Sequence, residues 1–151
     1  MRNFLTIYTI GFTKKTAQQF FEILRTSGAK HLFDIRISND SQLAGYTKRK
    51  DLPYFLKNLV NIQYHDVPIL APDMTMMKEY RKTGDWIEYE NKYLELIAHR
   101  NIENQINWSL FKEGVVLLCS EAEPIHCHRR LAAEILAKTL QTKFPTEVVH
   151  L

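Results

Sequence analysis

The sequence predicts an α/β fold: a single three-layer domain spanning residues 1–151, with a mostly parallel sheet of about four or five strands flanked by helices. Three observations carry this expectation. Runs of β-branched and aromatic residues alternate with segments of helical periodicity. The run from Val115 to Cys119 is apolar without alternation, which suits a central parallel strand covered on both faces. At 151 residues and 45% hydrophobic content, the chain is the right size to close one compact core.

In chain order, Leu5 to Ile10 predicts the first strand, ending at Gly11 where the chain can turn sharply or admit a close neighbour. Thr16 followed by Gln19 forms a capping-box pattern, Phe20, Phe21, Ile23 and Leu24 supply an apolar stripe, and Gly28 is placed to end that helix. His31 to Ile35 predicts the second strand. The polar stretch Ile37 to Lys50, with Asn39, Asp40, Ser41 and a basic end at Lys48, Arg49 and Lys50, reads as a loop. Asp51 is placed to cap a helix that carries Pro53 in its first turn and buries Phe55, Leu56, Leu59 and Val60. Ile62 to His65 follows as a strand, and helical spacing then runs from Met74 to Lys82 and through Trp86, Tyr89, Tyr93, Leu94, Leu96 and Ile97 to His99. After Val115 to Cys119, a helix opens at Cys127, His128 and Arg129 with Leu131, Ile135, Leu136 and Leu140 facing the core. Pro145 to Val149 supplies a last strand.

Composition narrows the class. Charged residues at 25%, with five glycines and five prolines, exclude a disordered or low-complexity chain. The opening residues lack the cleavage site of a signal peptide, and no apolar run is long enough to cross a bilayer, so a cytoplasmic protein without membrane partners is expected. Two cysteines in such a chain are expected as thiols. A net charge of +3 falls short of a dedicated duplex-DNA binder.

Ligands of parallel sheets sit at the carboxyl ends of the strands, so Gly11, Asp34 to Arg36, the residues after His65 and Cys119 to Glu121 are expected to converge. The helix opening at Cys127 would add a partial positive charge, and Arg36 and Arg129 would add fixed ones, which suits an anion. Cys127 beside a helix terminus and basic neighbours meets the condition for a reactive thiol, against the plainer reading of a small buried apolar residue. Glu121 and His128 are candidate acid or base groups; Asp34 reads as the partner that fixes Arg36. His126 and Cys127 superficially fit a phosphatase loop, but Ala132 stands where that loop needs arginine. Cys119, Cys127 and His128 are also soft metal ligands, with a fourth to come from His65 or Glu121, although no common zinc spacing is present. Tyr46 with Lys48, Arg49 and Lys50 mixes aromatic and positive groups as nucleic-acid grips do. Most aromatics around Trp86 read as core; Tyr93 is the candidate among them for the cleft.

The segments Thr9 to Phe12, Phe33 to Arg36, Tyr64 to Leu70, the aromatic helix with Tyr93, and above all Leu117 to Arg129 together resemble the family described as domain of unknown function DUF488. Cys119, Glu121, Pro124, Cys127, His128 and Arg129 match that family's Cys-x-Glu and Cys-His-Arg pattern, and Asp34 and Arg36 match its Asp-x-Arg. Asn39, Asp40 and Ser41, and Ala71 with Pro72, depart from the family's usual loop residues. The resemblance implies an α/β fold and a shared polar site, and it implies no particular activity.

The expected function is an enzyme acting on a phosphate-bearing or other anionic substrate, with nucleotides and nucleic acids among the candidates, at the carboxyl edge of the sheet. Glu121, Cys127 and His128 are its expected catalytic groups; Asp34, Arg36, Arg129, Cys119, Tyr93 and Gly11 are its expected substrate-binding ones. No cofactor is expected. The alternatives are a non-catalytic nucleic-acid-binding module and a metal-binding protein ligated through Cys119, Cys127 and His128.

Overall fold

A computed structural model describes residues 4–38, 45–121 and 123–151; the expectations for Asn39, Asp40 and Ser41 lie outside them. Five strands form the sheet: β1 (Leu5–Gly11), β2 (His31–Asp34), β3 (Gln63–Asp66), β4 (Val115–Cys119) and β5 (Thr146–His150). They are all parallel, in the order β3-β2-β4-β1-β5. The helices are α1 (Ala17–Ser27), α2 (Leu52–Phe55), α3 (Met74–Thr83), α4 (Trp86–His99) and α5 (His128–Leu140).

Helices on both faces bury the sheet. Val116 and Leu118 pack with Phe20, Phe21 and Leu24 of α1 and Leu52 and Leu56 on one side. Val115 and Leu117 pack with Tyr89, Tyr93 and Ile97 of α4 and Leu131 and Leu136 of α5 on the other. This is why β4 is apolar without alternation: both of its faces are dry.

Local chemistry sets the helix ends. The Thr16 side chain accepts from Gln19 N while the Gln19 side chain accepts from Thr16 N, and Gly28 closes α1 at φ 79°. The helical spacing from Met74 to His99 divides into two helices because Gly84 takes φ 70° and Asp85 caps a new start by accepting from Glu88 N. Two expectations are corrected around α2. Asp51 lies in helical conformation and makes no cap hydrogen bond, and Leu59 is 49% exposed. Asp51 already belongs to a turn in which its N–H and that of Leu52 donate to the Lys48 carbonyl, and a π-helical turn over Leu56–Val60 widens the spacing and swings Leu59 off the buried face.

Topology locates a crevice. Chain leaving β1 runs to α1 on one face, and chain leaving the adjacent β4 runs to α5 on the other, so the two exits diverge above the paired residues Gly11 and Cys119. In open parallel sheets this divergence is the usual ligand position. If the capping box of α1 holds its helix as the geometry indicates, Thr16→Ala will cost about 1 kcal/mol. Asp51→Ala, which removes no such bond, will stay within about 0.5 kcal/mol in the same urea unfolding experiment.

Candidate functional site

The crevice between β1 and β4 is filled by the chain's own groups. Arg129, in the first turn of α5, has no solvent exposure. Its Nε donates to Thr9 Oγ1 at 3.2 Å, and its Nη1 donates to Cys119 Sγ at 3.3 Å and to the backbone oxygen of Glu121. That carbonyl lies directly over Gly11: a Cβ there would fall 1.6 Å from Glu121 O and 2.6 Å from Arg129 Nη1. Glycine at position 11 is therefore a steric requirement of the closed loop. Thr9 extends the network, since its hydroxyl also meets His150 Nδ1 at 2.6 Å on the neighbouring strand.

The two thiols lie together beneath this loop, with Cys119 Sγ 2.6 Å from Cys127 Sγ. Cys119 is 1% and Cys127, the N-cap residue of α5, 3% exposed. Burial resists ionisation of Cys119. The Cys127 thiol, the Arg129 charge and guanidinium hydrogen bond, and the Glu121 backbone N–H outweigh it and hold the Cys119 pKa below the ordinary thiol value. Cys127 moves the other way, because its hydrogen bond to Cys119 and then its burial keep its proton in place. The structure thus reverses the expected order of the two cysteines. A helix N-terminus alone favoured Cys127, but the donors converge on Cys119.

A second cluster lies at the end of β2. Arg36 Nε and Nη2 each donate to a different oxygen of Asp34 at 2.8 Å, and Nη2 also donates to the Thr47 carbonyl at 2.7 Å. Tyr64 OH donates to Asp34 Oδ2 at 2.5 Å, and Arg36 stacks over the Phe12 ring. Asp34 is therefore the partner that fixes Arg36, as its spacing suggested. Among the described residues, Arg36 Nη1 is buried and has no hydrogen-bond partner. The two clusters are tied by His128, whose Nε2 donates to the Ile35 carbonyl at 2.7 Å. Burial, with Arg129 nearby, lowers the His128 pKa to about 4, so the ring is neutral near neutral pH.

Other expected site residues are placed differently. Tyr93 is fully buried, with its hydroxyl donating to the Leu70 carbonyl at 2.8 Å, so it braces the loop after β3 and lines no open cleft. The Arg100 guanidinium holds the same loop through the Ile69 and Ala71 carbonyls. Glu121 contributes its backbone to the cluster, while its residue surface is exposed, as is that of Glu123. Arg49 of the basic segment is ion-paired with Asp66 at 3.1 Å. Among the described residues no three His, Cys, Asp or Glu side chains are arranged to hold a metal ion. Thr9, Lys15, Tyr64 and His150 are participants that sequence reading did not single out. Lys15 is half-buried, and burial together with Arg129 lowers its pKa.

Fold and site define a parallel α/β domain with a buried thiol pair and two buried arginines at the crevice of its sheet. The chain matches the family described as "Domain of unknown function DUF488" over residues 16–136, and it belongs to that family. No curated protein and no solved structure matches it. No described helix is long and apolar enough to cross a membrane.

The geometry has two measurable consequences. Gly11→Ala will destabilise the fold by about 1–3 kcal/mol in urea unfolding through the clash with the Glu121 carbonyl. Gly45→Ala, where nothing lies within 4 Å, will stay within about 0.5 kcal/mol. His128 binds fewer protons folded than unfolded, so its contribution to stability is complete above about pH 6.5 and shrinks as pH falls towards 4. Across that window the protein will lose about 3 kcal/mol more than His128→Gln does, as read from paired unfolding curves.

Proposed function

We propose that the protein is an enzyme acting on a phosphate-bearing, anionic substrate at the crevice between β1 and β4, with the Cys119 thiolate as its reacting group. One observation carries the reading: a buried sulfur at the carboxyl end of a central strand accepts from the Arg129 guanidinium at 3.3 Å and touches the Cys127 thiol at 2.6 Å. A cationic donor and a second thiol against one sulfur favour a thiolate removed from water.

The anionic character of the substrate rests on the groups around that sulfur. Lys15 on the rim already feels the repulsion of Arg129, and an arriving anion relieves it. Arg36 Nη1 offers a buried N–H with its hydrogen-bonding capacity unused. Substrate entry requires the Glu121 carbonyl to lift from Gly11, which releases Arg129 Nη1 towards the incoming anion. The exposed Glu121 carboxylate is then the group best placed to exchange a proton with solvent. Cys127 serves as donor to the thiolate and His128 as the tether that holds α5 to β2.

Thiolate absorbance near 240 nm tests the first half of the reading without needing access to the sulfur. One of the two thiols will ionise below the ordinary cysteine range, and that transition will vanish in Cys119→Ser. Calorimetry with inorganic pyrophosphate tests the second half. Saturable binding is expected, weakened about tenfold or more in Lys15→Gln, and it will raise the thiolate transition by placing negative charge beside it. Turnover within a panel of phosphomonoesters and nucleotides that persists in Cys119→Ser would overturn the reading, as would the absence of any pyrophosphate binding.

A further inference from the structure

We propose that Cys119 and Cys127 are a reversible dithiol–disulfide pair that is oxidised by hydroperoxides, with Cys119 as the attacking thiol and Cys127 as the resolving one. The inference is independent of which substrate the crevice takes. Its starting point is that the two sulfurs are already in contact, at 2.6 Å, on the same face of the sheet. One is held by the end of β4 and the other by the N-cap of α5, and their union shortens the existing contact by about half an ångström. Such contact is not needed for packing, since two small apolar side chains would fill the same space without an arginine beside them.

The surroundings assign the two roles. Arg129 Nη1 donates to Cys119 Sγ at 3.3 Å, which favours negative charge on that sulfur and leaves Cys127, in contact with it at 2.6 Å, as the thiol that keeps its proton. In the first step the Cys119 thiolate attacks the outer oxygen of the hydroperoxide. An S–O bond forms, the O–O bond breaks, and the departing alkoxide or hydroxide takes up a proton as alcohol or water. The sulfur is oxidised by two electrons and the peroxide is reduced, leaving a sulfenic acid at Cys119. In the second step Cys127 gives up its proton and attacks that sulfur. The S–S bond forms, the S–O bond breaks, and the oxygen leaves with a proton as water. A dithiol reductant then restores both thiols by exchange.

Closing the disulfide also has a local consequence. It removes the negative charge that Arg129 Nη1 faces and consumes the nucleophile proposed above, so the oxidised protein is expected to be inert towards its anionic substrate; this one consequence rests on the proposed function.

The test treats the reduced full-length protein with hydrogen peroxide and follows intact mass, peptide maps and free thiols. The expected product is an intramolecular link between Cys119 and Cys127, with the mass lower by two hydrogens and both thiols recovered with dithiothreitol. In Cys127→Ser, dimedone will trap a sulfenic acid at Cys119. In Cys119→Ser, peroxide consumption will fall about tenfold or more. Peroxide-treated native protein that keeps both thiols free, or that links only between chains, overturns the proposal whether or not the variants fold. So does a dimedone adduct confined to Cys127. Pyrophosphate binding by the reduced protein separates the two readings: binding without disulfide formation removes this inference alone, and disulfide formation without binding removes the proposed function alone.

Discussion

A guanidinium with no access to water has to find all of its compensation inside the protein, and Arg129 organises the carboxyl edge by doing so. An unpaired buried charge costs several kcal/mol, enough to consume much of the stability of a domain this size. Arg129 meets that requirement with the Thr9 hydroxyl, the Cys119 sulfur and the Glu121 carbonyl, which come from β1, β4 and the segment after β4. Because Thr9 is far in the chain from Cys119 and Glu121, satisfying one side chain closes the crevice. The absence of a side chain at Gly11 and the depressed thiol pKa of Cys119 follow from the same requirement.

Arg36 imposes a second demand close by, and it is met differently. A bidentate pair with Asp34, itself held by the Tyr64 hydroxyl, makes that cluster internally neutral. His128 stands between the two arginine systems and touches the β2 end through Ile35. A protonated imidazole there would add a third positive charge in a dry region, and burial and Arg129 both oppose it. The tether is therefore a neutral hydrogen bond, and its ring tautomer is set by the carbonyl it donates to.

Elements whose cause is local were legible in the sequence. The Thr16–Gln19 capping box, the Gly28 terminus and the unbroken apolar run of β4 each follow from residues within one turn or one strand, and each is present. The π-helical turn after α2 was not legible, because the 3.6-residue spacing of Phe55, Leu56, Leu59 and Val60 assumes an α-helix throughout. At the site, the location could be read and the roles could not. Cys127 has the local mark of a reactive thiol, a helix N-terminus with basic neighbours. The Arg129 side chain, however, folds back to reach Cys119, and the chain after β4 turns a backbone N–H towards the same sulfur. Both are tertiary events without a sequence period. Thr9 was visible only within the segment that carries the family resemblance, and the register of β1 with β5 supplies the reason for a hydroxyl there, since Thr9 pairs with His150.

Where the polar groups are buried bears on what they are for. Replacing a buried ionic network by apolar residues of similar volume is commonly neutral or stabilising, so fold stability alone gives little reason to keep two arginines and an aspartate out of water beside a pair of thiols. Away from this edge the packing is apolar: α1 meets the sheet through Phe20 and Leu24, and α2 and the chain after it meet the sheet through Leu52, Leu56 and Ile62. The buried charged side chains Asp34, Arg36 and Arg129 gather at the carboxyl ends of β1, β2 and β4, where the chain diverges to opposite faces, whereas the amino ends of β2 and β5 bury His31 and Thr146, neither of which carries a fixed charge. A network kept for packing would have no reason to respect that boundary. One kept for chemistry would, because only there do strand ends, a helix N-terminus and a removable loop meet.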